Sequence, residues 1–150
     1  MSGFILRPAI AEDSVPCAVI MREWMRETDW FHTDHAPDED APFLAGKVAA
    51  GTMIVAESDG EIAGFLVLEA DYVACLYVRK INRGQGLGPL FLEHARAKNR
   101  SGLNLFTFQA NMGARRFYER EGFTVEMMTD GAGNEERIPD VMYVWEGIRP

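Results

Sequence analysis

Several features that define other protein classes are absent or scarce in this 150-residue chain. Its two cysteines, Cys17 and Cys75, form neither a CxxC pair nor a metal-ligand spacing, so we expect reduced core thiols and no disulfide framework. No apolar run approaches the roughly 18 residues that a membrane span needs, and the first residues lack the charged start and cleavage site of a signal peptide. We therefore expect a cytoplasmic protein with no membrane partner.

Basic residues are also scarce, since 15 Lys and Arg stand against 23 Asp and Glu, for a net charge of −8. This balance argues against nucleic acid as a partner, because phosphate backbones bind basic surfaces. The basic residues are concentrated, however: residues 79–120 contain nine Lys or Arg and only two Asp or Glu. Such an island favours contact with one small polyanion, although solvated surface charge is the alternative.

The apolar residues predict one domain over residues 1–150, built from a mixed sheet with helices, of the α/β class. A strand is predicted at residues 4–8. A helix with a core-facing stripe follows, and a short helix near residues 41–50. The stripe is Cys17, Ile20, Met21 and Trp24.

The middle of the chain predicts an antiparallel meander. Asp59-Gly60 is a strong hairpin signal between two apolar runs, and "YVACLYV" at residues 72–78 follows after a few turn residues. Helices are then predicted from between Gly86 and Pro89, and after Asn111 as N-cap, with strands following each of them.

The stretch "RKINRGQGLGPLF", residues 79–91, joins a strand to a helix through three glycines, an arrangement suited to binding an anion. A P-loop is excluded because no Lys-Ser/Thr follows the glycines. A dinucleotide fingerprint is excluded because Pro89 stands where its third glycine belongs, and the next strand ends in no carboxylate.

The pattern that fits is R-x-x-G-x-G, formed by Arg83, Gly86 and Gly88. Together with "LYV" at residues 76–78 and "N..A..FYER.GF" at residues 111–123, it resembles the GNAT acyltransferases. The resemblance implies a fold of six or seven mostly antiparallel strands with about four helices on both faces. It also implies an acetyl-CoA-dependent N-acetyltransferase of bacterial type that needs no metal.

In such a protein, the loop at residues 83–88 holds the CoA pyrophosphate, and the strand ending in "LYV" pairs with the pantetheine arm. Arg79 and Lys80 are further candidate phosphate partners. The resemblance assigns the following residues to CoA binding: Leu76, Tyr77, Val78, Arg83, Gly84, Gln85, Gly86, Leu87, Gly88, Asn111, Ala114, Phe117 and Tyr118.

By the same resemblance, Tyr118 is the general acid that protonates the departing thiolate, with an aromatic that only packs on CoA as the alternative. We expect Arg115 and Arg116 to favour its phenolate form. Glu69, at the turn before the "LYV" strand, is the candidate general base. Cys75 is interpreted as strand packing, because direct transfer requires no acyl-enzyme.

The acceptor site is the least determined part. The resemblance places Trp30, Phe31 and His32 over it, and we disfavour a metal at His32 and His35 because no further ligands follow at a suitable spacing. Residues 129–140 form either a plain cover or an acidic rim that attracts a cationic amine. That rim is Glu135, Glu136 and Asp140.

The expected function is transfer of acetyl to a primary amine of a cationic small molecule or peptide, by direct attack in a ternary complex. A catalytically silent acyl-CoA sensor of the same fold is the alternative. Family members often dimerise, so the resemblance also allows a homodimer.

Overall fold

The computed structural model describes residues 3–148, which form seven strands and four α-helices. The elements are β1 (Ile5–Pro8), α1 (Ser14–Glu27), α2 (Asp40–Ala49), β2 (Met53–Ser58), β3 (Glu61–Glu69), β4 (Tyr72–Val78), α3 (Leu87–Lys98), β5 (Leu103–Phe108), α4 (Met112–Arg120), β6 (Thr124–Thr129) and β7 (Asp140–Trp145). No helix within the described range is long and apolar enough to cross a membrane.

All seven strands belong to one sheet in the order β1-β2-β3-β4-β5-β7-β6. Every neighbouring pair is antiparallel except β4 and β5, which run parallel. These two are paired only at Tyr72 and Asn104, near their N-terminal ends. Beyond that point the strands separate, so one edge of β4 carries backbone groups that no strand satisfies.

The predicted hairpin at Asp59-Gly60 is confirmed. Both residues have positive φ, 52° and 80°, the geometry that a two-residue type I′ turn requires. The predicted meander of β2, β3 and β4 is confirmed as well, and residues 63–67 of β3 are buried throughout because helices cover both faces of the sheet there.

Two apolar cores lie on the two faces of the sheet. In the stripe predicted for α1, Trp24 is only partly buried and lies outside the core. The other three residues pack with α2 against one face of β2 and β3, and Cys17 among them is fully buried. Burial raises the pKa of its thiol to about 12, which makes it a packing residue. Helices α3 and α4 pack on the other face through Phe91, Leu92 and Tyr118.

The ends of α4 follow the local sequence. The Asn111 side chain accepts a hydrogen bond from the Ala114 N–H at 3.1 Å, as an N-cap does. Gly122, just past the helix, has φ 92°, the left-handed conformation that ends helices. The helix that carries Tyr118 is therefore fixed at both ends by residues predicted for those positions.

Candidate active site

A cavity of about 1,700 Å³ opens where β4 and β5 separate. The whole of β4 lines one wall, and residues 106–108 of β5 line the facing wall. At one end lies the glycine loop before α3. At the other lie residues from the α1–α2 connection and from the loop between β6 and β7. We call these the donor half and the acceptor half.

The glycine loop brings its backbone to the N-terminus of α3. Gly84 and Gly86 have φ values of 74° and 87°, and Gly86 caps the helix. Gly88 is required by packing, since a Cβ there would lie 2.9 Å from the ring of Phe117 on α4. The first N–H groups of a helix have no partner within it, so this end of α3 suits an anion.

The predicted cations around the loop are paired with acidic side chains. Arg83 donates to the Val78 carbonyl at 3.2 Å and forms an ion pair with Glu27 at 2.5 Å. Lys80 also lies near Glu27, at 3.9 Å, and Arg79 forms an ion pair with Glu61 at 3.2 Å. Glu27, on the last turn of α1, thus connects the glycine loop to the opposite layer of the fold.

Arg120 is a cavity residue that the sequence did not point to. It lies on the face of α4 that also carries Gly113 and Phe117, at helical spacings of seven and three residues, and all three line the cavity. Its guanidinium makes no ion pair with any residue in the range 3–148. The sequence signal for Arg120 was its place as the last residue of the "FYER" stretch, residues 117–120.

Tyr118 lies inside the cavity and is almost fully buried. Its ring packs against Phe117 and Phe123, with centroids at 5.0 and 5.5 Å. Burial raises the pKa of its phenol above the ordinary value, and the nearby Cys75 raises it further. The expectation that neighbouring arginines favour the phenolate is therefore wrong, because the Arg115 guanidinium donates instead to the Tyr143 hydroxyl at 3.1 Å.

The acceptor half has an aromatic wall. Phe31 packs against Phe108 of β5 and against Trp24 of α1, which in turn contacts Tyr77 of β4, with centroids between 5.1 and 6.0 Å. All four line the cavity. Trp30 stands behind this wall, in contact with Phe108 at 5.6 Å, and does not itself line the cavity.

The two loops of the acceptor half are joined through histidines. The ring of His32 bonds the Glu136 carbonyl oxygen at 2.7 Å, and His35 forms an ion pair with Glu135. Glu135 raises the pKa of His35 above its usual value, and Glu39 adds to the shift. His32 therefore holds the cover of the site and is not part of the cavity lining.

Six carboxylate side chains also line the acceptor half of the cavity. They are Asp38, Glu39, Asp40, Glu135, Glu136 and Asp140. Asp40 is paired with Arg22 at 2.7 Å, and Asp140 accepts hydrogen bonds from Thr129 and Asn134. Within residues 3–148, no group of three or more side chains is arranged to hold a metal ion.

Three further candidates have clear positions. Glu69 forms an ion pair with Lys47 at 2.7 Å and is not among the residues that line the cavity. Cys75 does line it, but burial raises the pKa of its thiol to about 12, which is unfavourable for a nucleophile. The Gln85 side chain, 3.4 Å from the Ile81 carbonyl, also lies outside the lining.

The structure thus brings most of the residues assigned to CoA binding to one cavity. They are Leu76, Tyr77, Val78, Arg83, Gly84, Gly86, Leu87, Gly88, Asn111, Ala114, Phe117 and Tyr118. Among the three residues predicted over the acceptor site, Phe31 lines the cavity.

Comparison with known proteins identifies the class. The family model described as the acetyltransferase (GNAT) domain matches residues 49–125, from the end of α2 into β6. The chain therefore belongs to the GNAT acetyltransferase family, and the predicted fold class and enzyme class are confirmed.

Solved structures agree on the fold across the whole chain. The GCN5-related N-acetyltransferase of Rhodopseudomonas palustris is 19% identical with a TM-score of 0.78, and the match covers 99% of this chain and 98% of that one. YncA of Salmonella typhimurium, solved with its cofactor acetyl-CoA, is 19% identical with a TM-score of 0.75, covering 99% and 96%. A GNAT acetyltransferase of Bacillus cereus is 13% identical with a TM-score of 0.76, covering 97% and 99%. No curated protein matches the chain.

Proposed function

We propose that the protein transfers acetyl from acetyl-CoA to a primary amine of a cationic acceptor, by direct attack in a ternary complex. One observation carries this: a single cavity joins the glycine loop, the unpaired edge of β4 and the buried Tyr118. The likeness to YncA, which was solved with acetyl-CoA, supports this donor. Acetyl-CoA supplies an acyl group activated as a thioester.

The residues present fit such a donor. The N-terminus of α3 and the loop at residues 83–88 would hold the pyrophosphate, with Arg120 as a cation free to meet phosphate. The open edge of β4 offers backbone groups to the amides of the pantetheine arm, as an added strand would. Gly88 permits the close packing of Phe117 that forms the wall beside the loop.

Tyr118 is the proposed proton donor to the departing sulfur. Its raised pKa keeps the phenol protonated at neutral pH, so the proton is present on the hydroxyl oxygen when it is needed. The same burial makes the phenol a weaker acid than it would be in water, so proton transfer to a thiolate is energetically uphill.

The acceptor must lose a proton before it attacks. An alkyl amine with a pKa of about 10.4 costs roughly 4 to 5 kcal/mol to neutralise at pH 7. The carboxylates of the acceptor half attract the ammonium form. Glu69 stays the predicted base, and its position outside the lining means that it would act through water.

An amine panel tests the proposal. The purified protein is mixed with acetyl-CoA and with one amine at a time, at several pH values, and released thiol is measured. We expect amine-dependent thiol release and an acetylated amine by mass spectrometry. Thermal stabilisation by CoA without thiol release from any amine would contradict the proposal and favour the acyl-CoA sensor.

The cytoplasmic location and a homodimer also remain predictions.

A further inference from the structure

An apolar row crosses three strands of the sheet beside the reaction cavity. Phe106 of β5 is paired with Met142 of β7, and Met142 is paired with Met127 of β6. Register partners on neighbouring strands lie on the same face, so the three side chains stand side by side. We call them the apolar row.

The apolar row is unusually open for side chains of this kind. Phe106 is 41% exposed and Met127 is 46% exposed, whereas Val141 and Tyr143, the neighbours of Met142 on the other face of β7, are fully buried. Helices α1 and α2 pack over β2 and β3 on this side of the sheet, and their core does not include the residues of the row.

The two exposed side chains of the apolar row are part of the reaction cavity, whereas Met142 between them is partly buried and is not a lining residue. Phe106 and Met127 both line the cavity, together with Tyr118. On the same face of the sheet, the next pair along β5 and β7 is Phe108 with Asp140, and Asp140 is one of the lining carboxylates. The acceptor half therefore passes from carboxylates and an aromatic wall to an open apolar surface.

A β-bulge decides which methionine faces the cavity. The register between β6 and β7 shifts between Val125 and Met127, so Met127 is opposite Met142 while the adjacent Met128 is opposite Val141. Met128 is 51% exposed, as accessible as its neighbour, but does not line the cavity. The chain thus supplies a matched pair of exposed methionines on opposite faces of one strand.

We propose that the acceptor is an amphipathic amine, whose amino group reaches the carboxylate end of the cavity while an aryl or alkyl body lies across the apolar row. This inference rests on the proposed acetyltransferase function and names the class of its acceptor. A compact, fully hydrophilic amine would leave the row in water, and apolar surface removed from water is a source of binding free energy. The continuity of the row with the cavity selects the acceptor as its occupant.

The test compares primary amines of similar charge and different bodies. 2-Phenylethylamine and octylamine represent the amphipathic class, and ethanolamine and 3-aminopropane-1,2-diol, which carry the same single charge, represent the hydrophilic class. We expect kcat/KM for the amphipathic amines to exceed that for ethanolamine by at least about tenfold, the scale on which an apolar pocket discriminates. Met127→Ser should remove most of this advantage, so that kcat/KM for the amphipathic amines falls relative to that for ethanolamine.

The matched control is Met128→Ser, which should leave all four values unchanged, because that side chain faces the opposite side of the sheet. Phe106→Ser is a second variant from a different strand and should reproduce the loss seen for Met127→Ser. Each substitution is at an exposed position, and circular dichroism with CoA binding checks that the variants retain the fold and the donor site.

Four results would overturn the inference. Equal use of both amine classes, or an unchanged preference in Met127→Ser, would contradict the inference of an amphipathic acceptor. Amine-dependent thiol release in those experiments would still support the proposed acetyltransferase function. Thiol release that no amine increases would contradict both the inference and the proposed function. Conversion of a dimer to a monomer by Met127→Ser in sedimentation would assign the row to a second copy of the chain instead.

Discussion

The two halves of the cavity are built by different means. In the donor half, the glycine loop and the first turn of α3 present backbone groups, and Gly86, Gly88 and Arg83 come from one stretch of six residues. In the acceptor half, side chains from α1, β5 and two loops meet to form an aromatic wall and a carboxylate rim. A site made from contiguous backbone has a sequence signature, whereas one assembled from distant side chains does not.

The charges differ in the same way. Part of the basic island lies at the donor half, where Arg79, Lys80 and Arg83 are paired with glutamates. Arg120 lines the cavity and makes no ion pair with residues 3–148. The acceptor half is lined by carboxylates. Opposite charge at the two ends is favourable for the proposed polyanionic donor and the proposed cationic acceptor.

The largest effect is expected at Tyr118, where the halves meet. Tyr118→Phe removes the proposed proton donor and should lower kcat about 100-fold, which is the lower end of the range for general acid–base catalysis. The affinity for CoA should change little. Tyr72→Phe, which removes another phenol from the cavity lining, is the control and should keep kcat within about twofold. Equal activity of Tyr118→Phe and the unchanged protein would remove the acid role.

The pH dependence follows from the same residue. A phenol donates its proton only below its pKa, and the pKa of Tyr118 is raised by burial. Tyr118 should therefore contribute no loss of kcat as pH rises from 6 to 9. A basic limb within that range that disappears in Tyr118→Phe would contradict the assignment.

The next effect is expected in the donor half. In Gly88→Ala, the new Cβ would meet the Phe117 ring at 2.9 Å, so the wall beside the loop must shift. We expect the Kd for CoA, measured by calorimetry, to rise about tenfold. Gly46→Ala in α2 adds its methyl where nothing lies within 4 Å, and it should leave the Kd unchanged and stabilise the fold by roughly 0.5 to 1 kcal/mol.

A smaller effect is expected at Arg120. Arg120→Gln should weaken CoA binding about fivefold and flatten its dependence on salt, because the charge that meets phosphate is lost. Arg116→Gln makes the same change on the same helix at a residue outside the cavity lining. Equal losses in both variants would mean that Arg120 acts only through net charge.

The smallest effect is expected at His35, which joins the two loops of the acceptor half. Its carboxylate partners raise its pKa in the folded state, so its contribution to stability is fully present below the unfolded value of about 6.5. The contribution is lost as pH rises through the raised pKa. Glu135→Gln should lower the His35 pKa measured by NMR, and Glu136→Gln, whose contact with His32 uses only the backbone, should leave it in place.

Much of the framework was predictable from local patterns. Asp59-Gly60 takes the turn that its residues favour, Asn111 caps α4, and Gly122 ends it. The glycine loop was found from its own residues and Tyr118 through the resemblance to the GNAT family, and both lie in the cavity. Trp30, Phe31 and His32 were predicted over the acceptor site, but of these three neighbouring residues only Phe31 lines the cavity. Trp30 packs behind Phe108 and His32 bonds the Glu136 carbonyl, because consecutive side chains in a loop point in different directions.

Short stretches of sequence were sufficient to predict the helices, the strands, the anion-binding loop and the family, because conformational preferences and motif spacings are local. The separation of β4 from β5, the ion pair of Glu27 with Arg83, and the position of Met127 rather than Met128 at the cavity became visible only in the folded structure. Strand register, bulges and ion pairs depend on residues far apart in the chain, so no local pattern predicts them. The proposed donor therefore has a signature in the sequence, whereas the proposed class of acceptor follows from the surface that the fold assembles.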